Sequence, residues 1–171
     1  MKGMMLAGVA WIGLLLSFAA DAARDAGAPD ALLVHQIAAE RELAATLAPV
    51  KNRAQLDAYL REHRGASSPF HGLRPATLQR FSASLAFNDR GVSSYDYTTL
   101  QRELTASQIF RILRVFGVED SASRIPGMKV RSHADRLVVE THLRHSGHHD
   151  MYCVASGSCA PRTGWVCTNH C

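Results

Sequence analysis

All four cysteines of this 171-residue chain lie near its C-terminus, at Cys153, Cys159, Cys167 and Cys171. An even number of clustered cysteines indicates two disulfides in an oxidising compartment, and three pairings are possible. A zinc site is the alternative, but zinc modules usually pair cysteines about two to four residues apart. The gaps here are five, seven and three residues, so only the last is typical. We therefore expect two disulfides.

The residues between the cysteines are rich in turn formers and poor in apolar periodicity, over 154–158 and 160–166. Such a segment buries too little surface to order itself, and closing short loops covalently adds about 2–4 kcal/mol per bridge. The sequence thus predicts a cysteine-rich tail over residues 151–171. We expect this tail to pack on the rest of the protein through Trp165.

The N-terminus carries the pattern of a cleavable secretory signal over residues 1–22. Lys2 precedes an apolar run from 4 to 20 that only Ser17 interrupts, and Ala20 and Ala22 are small residues at the cleavage positions. An uncleaved membrane anchor is the alternative, but no basic stop-transfer cluster follows the run. We expect an exported protein, periplasmic or secreted, with no membrane span after cleavage.

The central part of the chain predicts a mostly α fold, a small helical domain of five or six helices over residues 30–150 with the disulfide-stapled tail beside it. Residues 23–29 are expected to be a flexible N-terminus. Helix starts are marked by Asp30, by Asn52 with Gln55, by Pro75, by Thr98 with Gln101, by Thr105 with Gln108 and by Ser132 with Asp135. Residues 92–97 lack a helical period and are expected to be extended. Over 132–146 we favour a helix, although the alternating apolar residues also allow a strand.

Composition excludes two classes. The chain is 47% apolar, which is too high for a disordered protein. A formal net charge of +4 is too small an excess for a nucleic-acid-binding surface.

Six of the nine histidines follow residue 132, which makes this segment a candidate metal site. On a helix, His142 and His145 would share one face, and His149 and Asp150 can complete a site for Zn²⁺ or Cu²⁺. The alternative is that these histidines are solvated and complement the dipole of a helix end. No recognised metal signature is present, and no sequence motif requires a cofactor.

Four other residues form a candidate binding surface: Phe70, His71, Tyr95 and Tyr97. Aromatic side chains exposed in loops can recognise a partner, although aromatic rings below loops more often belong to the core. Glu119 and Asp120 are adjacent in a loop, and a solvated surface is the simpler interpretation of that acidic pair. No serine-nucleophile, phosphate-binding or dinucleotide motif is present, so no catalytic residue is identified.

The leading functional hypothesis is therefore an exported, non-enzymatic binding or structural protein of the cell envelope or the extracellular space. Its partner would be a protein or another envelope component. One alternative is metal binding through the histidine segment. Another is a hydrolase with an unrecognised site, which requires a concave pocket that holds converging polar groups.

Overall fold

The computed structural model describes residues 28–140 and 148–171, with side chains from residue 34 onwards. The predicted signal peptide, residues 23–27 of the predicted flexible N-terminus, and His142 and His145 lie outside the described residues. Residues 28–35 belong to an N-terminal unit and residues 36–171 to a second unit, which contains the core, the sheet and the site presented below. Among the described residues, no helix is long and apolar enough to cross a membrane.

The described residues form seven helical segments and four strands. The helices are α1 (Ala28–Leu47), α2 (Arg53–Glu62), α3 (Pro75–Ser84), α4 (Thr98–Glu103), α5 (Ala106–Arg114), a 3-10 helix (Glu119–Arg124) and α6 (His133–Glu140). The strands are β1 (Ala86–Asn88), β2 (Gly91–Asp96), β3 (His148–Ala155) and β4 (Ser158–Cys167).

Local capping signals set where several helices begin. Helix α2 is capped by Asn52, whose side-chain oxygen accepts the Gln55 backbone N–H at 3.0 Å. Thr105 and Gln108 form a reciprocal capping box ahead of α5, and Pro75 occupies the first turn of α3. The capping side chains accept backbone N–H groups that have no partner inside the helix. Proline in the first turn has no N–H group, so it needs no such partner. The helix starts predicted at these positions are confirmed.

Asp135 joins the starts of two helices. Its carboxylate accepts the backbone N–H of Ser132 at 2.8 Å, which completes the predicted cap of α6, and also the N–H of Ser107 in α5 at 2.8 Å. The residue is 1% exposed, and these hydrogen bonds hold the pKa of its carboxyl well below the usual range despite burial. The predicted helix is thus confirmed for the described part of residues 132–146.

The prediction of a mostly α fold is wrong, because the protein is mixed α/β. The four strands form one antiparallel sheet in the order β1-β2-β4-β3. Residues 92–97, expected to be extended, nearly coincide with β2. That strand pairs with the end of the predicted tail, with Ser94 opposite Cys167 and Asp96 opposite Trp165. The tail orders through hydrogen bonds to a distant strand, which its own periodicity does not reveal. Strand β3 crosses the boundary predicted between residues 150 and 151.

The two predicted disulfides are confirmed. Cys153 is bonded to Cys171, which ties β3 to the end of the chain, and Cys159 is bonded to Cys167 within β4. The Cα atoms of Cys159 and Cys167 are 6.2 Å apart, whereas a straight strand of that length would separate them by about 26 Å. Strand β4 is therefore strongly bent.

The hydrophobic core lies between the helices and the sheet, centred on Phe81. This fully buried ring makes edge-to-face contacts with Tyr95 and Phe116, at centroid distances of 6.2 and 6.1 Å. Such aromatic pairs contribute about 0.5–1.5 kcal/mol beyond the burial of their area. The buried apolar residues around them include Leu56, Leu100, Ile109, Ile112, Leu113 and Val166.

Candidate functional site

An open cavity of about 350 Å³ is lined by residues of α1, α5, α6 and the 3-10 helix. This volume falls in the range of small-molecule sites, about 300–1,000 Å³. The apolar lining side chains are Ile37, Ala44, Phe110, Leu137 and Val138, and the polar ones are Glu40, Arg41, Glu119, Asp120 and Ser123. The cavity thus combines an apolar wall with a few polar side chains. We call three of these polar residues, Arg41, Glu119 and Asp120, the acidic edge.

A glycine positions the acidic edge. Gly117 follows α5 with a positive φ of 67°, and a Cβ at this position would lie 2.8 Å from the Ala44 carbonyl oxygen and from Cα of Ala45. Only glycine permits both this backbone conformation and this close approach of α1. Because the 3-10 helix begins at Glu119, directly after Gly117 and Val118, its acidic residues face α1.

The acidic edge contains half-buried charged side chains. The Nε atom of Arg41 lies 3.1 Å from a carboxylate oxygen of Asp120. Burial raises the pKa of Asp120 to about 6, against the opposing pull of Arg41. Burial also raises the pKa of Glu119, and its Oε2 atom is buried without a hydrogen-bond partner among the described residues. Carboxyl groups whose pKa is raised by burial beside a cavity are typical of functional sites.

A second cavity, of about 540 Å³, also borders α1. Its lining includes Leu43 and Leu47, whose side chains are 57% and 71% exposed. Glu40, Ala44 and Glu119 contribute to both cavities. Glu119 therefore lies beside two concave surfaces that both border α1.

The candidate aromatic surface is not assembled as an exposed patch. Phe70, Tyr95 and Tyr97 are 5%, 0% and 4% exposed, so their rings belong to the core. The Tyr95 hydroxyl is hydrogen-bonded to Ser121 at 2.8 Å, which satisfies it inside the protein. Of the four candidate residues, His71 alone is exposed.

The candidate histidine site is described only in part. His149 is exposed, whereas Asp150 has a structural role in the β3–β4 hairpin. One carboxylate oxygen of Asp150 accepts the Tyr97 hydroxyl at 2.8 Å and the Gly164 backbone N–H at 2.7 Å. These bonds lower the pKa of Asp150 and hold its backbone at a φ of 55°, which is rare for a residue other than glycine.

Potential metal ligands converge elsewhere. Among the described residues, the sulfur atoms of Cys153, Cys167 and Cys171 lie within 4.8 Å of one another. All three are engaged in disulfides.

The acidic edge is not predicted from the sequence, because Glu119 and Asp120 are adjacent polar residues in a loop and a solvated pair is the simpler interpretation. The available signal was Gly117 at the end of the most amphipathic helix, two residues before the pair. A glycine there permits close helix packing, but the sequence does not say which helix approaches.

Comparison of the chain with protein-family models, with curated proteins and with solved structures finds no significant match.

Proposed function

We propose that this protein is exported and binds a small, mainly apolar ligand with one protonated amine in the cavity between α1, α5, α6 and the 3-10 helix. The observation that carries the proposal is the Glu119 carboxyl group, which has a buried oxygen without a hydrogen-bond partner among the described residues. Such a buried acceptor costs about 1–3 kcal/mol. A ligand that supplies a donor recovers this cost.

The apolar wall supplies the non-specific part of the affinity. Burying each methylene of a ligand against side chains such as Phe110 and Val138 contributes about 0.8 kcal/mol. A short alkyl or aromatic body therefore suits the cavity, and the polar groups fix its orientation.

The charges at the acidic edge favour a cation over an anion. The side chains that line the cavity include three carboxyl groups, those of Glu40, Glu119 and Asp120, and one guanidinium, that of Arg41, which is paired with Asp120. Burial raises the pKa of Glu119, and this effect is larger than the opposite effect of Arg114, which lowers it. An ammonium group beside Glu119 would form a charge-assisted hydrogen bond and stabilise the ionised carboxylate. A carboxylate ligand would instead meet like charge.

Two features support export. Disulfides persist in oxidising compartments such as the periplasm and the extracellular space, and residues 153–171 contain two. Residues 1–22 also have the pattern of a secretory signal. The proposed ligand would therefore be met outside the cytoplasm.

Calorimetric titration with three ligands of one chain length tests the binding proposal: octylammonium, octanol and octanoate. We expect octylammonium to bind at least about tenfold more tightly than octanol, a difference of about 1.4 kcal/mol, and octanoate to bind least. Glu119→Gln should abolish the preference for the amine, because it removes the charge and keeps the side-chain shape. Glu62→Gln, at an exposed carboxyl in α2, is the matched control. Equal affinity for octylammonium and octanol would exclude the proposed role of Glu119.

A hydrolase is the second candidate, favoured by the Asp120 pKa of about 6 beside a concave surface. A carboxyl with this pKa can exchange protons at mildly acidic pH. Assays with chromogenic esters and glycosides would detect such an activity. It should be lost in Asp120→Asn and retained in Glu62→Gln. Ligand binding without turnover of any substrate would favour the binding protein.

A further inference from the structure

The four cysteines lie close enough together to act as one ligand set when they are reduced. The sulfurs of Cys153, Cys167 and Cys171 are within 4.8 Å of one another, and Cys159 is bonded to Cys167. A tetrahedral zinc–thiolate site has Zn–S distances of about 2.3 Å, which places its sulfurs about 3.8 Å apart. We propose that the reduced chain binds one Zn²⁺ ion through the thiolates of Cys153, Cys159, Cys167 and Cys171.

The spacing of these cysteines along the chain is unlike that of common zinc modules, but strand pairing in the sheet brings them close together in space. Cys153 and Cys159 face each other across the β3–β4 hairpin, and Cys167 lies opposite Ser94 in β2. Residues that are distant along the chain are therefore neighbours in space.

Hydrogen bonds hold these backbone positions independently of the disulfides. The Cys153 N–H donates to the Ser94 hydroxyl at 2.7 Å. Next to Cys167, the Thr168 N–H donates to the Ser93 carbonyl at 3.0 Å, and its hydroxyl donates to the Val92 carbonyl at 2.6 Å. Because these bonds involve no sulfur, reduction leaves the backbone at Cys153 and beside Cys167 anchored.

Burial gives the site the character of a structural metal centre. Cys167 is fully buried and Cys171 is 6% exposed, whereas Cys153 and Cys159 are half-buried. The metal would be shielded from water on one side and accessible through the hairpin on the other. Four thiolates close the coordination shell, as in structural zinc sites.

The chemistry balances with a dithiol as the reductant. Two dithiol molecules transfer four electrons and four protons to the two disulfides, which gives four thiols and two oxidised reductant molecules. Zn²⁺ then displaces the four thiol protons. Because these protons are released to the solvent, the affinity should rise with pH. Before the metal binds, the carbonyl oxygen of Ala155 can accept hydrogen bonds from the thiols of Cys153 and Cys171, whose sulfurs lie 3.4 and 3.2 Å away.

Cobalt(II) is the probe, because its tetrahedral thiolate complexes absorb strongly in the visible range. The full chain is reduced anaerobically and titrated with Co²⁺. We expect one Co²⁺ per chain with thiolate-to-metal absorption, displacement by Zn²⁺, and a higher melting temperature for the zinc-loaded reduced chain than for the metal-free reduced chain. The same chain with intact disulfides should give no such absorption, and this comparison requires no variant.

Two variants identify the ligands. Loss of a residue that only supports a metal ligand typically weakens metal binding about 10- to 100-fold. Cys171→Ser removes a ligand itself, so it should weaken cobalt binding by more than this. His149→Ala should leave binding unchanged. Absence of thiolate absorption from the reduced chain would overturn the proposal, as would an absorption that His149→Ala removes and Cys171→Ser retains.

Discussion

Asp150 in the β3–β4 hairpin and Asp120 at the acidic edge are both half-buried, but their surroundings differ. Asp150 accepts hydrogen bonds from Tyr97 and Gly164, which lower its pKa. Asp120 has one ion-pair partner, Arg41, and burial raises its pKa to about 6. The hairpin uses its carboxylate to stabilise the fold. The acidic edge instead holds a buried carboxylate oxygen of Glu119 that has no hydrogen-bond partner among the described residues, an arrangement that costs stability and suits ligand binding.

The largest effect on stability is expected from the two disulfides, which both lie within residues 153–171. Changing Cys153 and Cys171 together to Ser should lower the free energy of unfolding by about 3 kcal/mol, because this bond closes a loop with a sequence separation of 18. Changing Cys159 and Cys167 together to Ser opens a loop with a sequence separation of only 8. Its loss of unfolding free energy should be smaller than that of the first pair, by less than about 1 kcal/mol. Urea unfolding measures both. A larger loss from the shorter loop would contradict the loop-entropy account.

The next largest effect concerns pH. The pKa of Asp120 is raised in the folded state, so its contribution is fully present below about pH 4 and is lost as pH rises through about 6. From this group we expect the free energy of unfolding to fall by about 2 kcal/mol between pH 4 and 7. Urea unfolding of Asp120→Asn across this range should show a flatter dependence than wild type, whatever its absolute stability.

Asp150→Asn is the contrasting variant. Because the folded state lowers the pKa of Asp150, its contribution is present above about pH 4 and is lost as pH falls further. This variant should therefore lose stability at neutral pH and approach wild type in acid. The same pH response in both variants would contradict the distinction between the two regions.

The sequence predicts the features that depend on near neighbours along the chain. Thr105 with Gln108 and Asn52 with Gln55 act within one helical turn, so these helix starts could be recognised without the rest of the fold. The pairing of Ser94 with Cys167 connects distant parts of the chain. Its strands lack the apolar periodicity that identifies an element by itself, so the sheet was not foreseen.

The candidate site was hidden for the same reason. Glu119 and Asp120 follow α5 directly, but their burial depends on α1, which lies far earlier in the sequence. The candidate aromatic surface is a second example of burial that the local sequence does not reveal. Loop-like surroundings predict exposed rings, but the core covers Phe70, Tyr95 and Tyr97. Burial of a loop depends on tertiary packing, and local sequence carries little information about it.

A smaller effect is expected at the contact between the hairpin and Tyr97. Tyr97→Phe removes the hydroxyl that donates to Asp150 and should lower the free energy of unfolding by about 1 kcal/mol. Tyr152→Phe is the control, because the Tyr152 ring packs edge-to-face on Trp165 and its hydroxyl makes no hydrogen bond among the described residues. The control should change stability by less than about 0.5 kcal/mol. Equal losses in urea unfolding would show that the Tyr97 hydrogen bond is not stabilising.

The smallest expected change in stability, at Glu119, has the opposite sign. Glu119→Gln replaces a buried carboxyl that lacks a full set of partners with a neutral amide, so the desolvation cost of charge disappears. We expect the free energy of unfolding at pH 7 to stay constant or rise by up to about 1 kcal/mol. The same variant should lose its preference for octylammonium. Together, these results would indicate that the acidic edge is maintained for a ligand at the expense of stability, unlike Asp150 in the hairpin. A clear loss of stability in Glu119→Gln would instead assign Glu119 a structural role and remove the main argument for the proposed ligand.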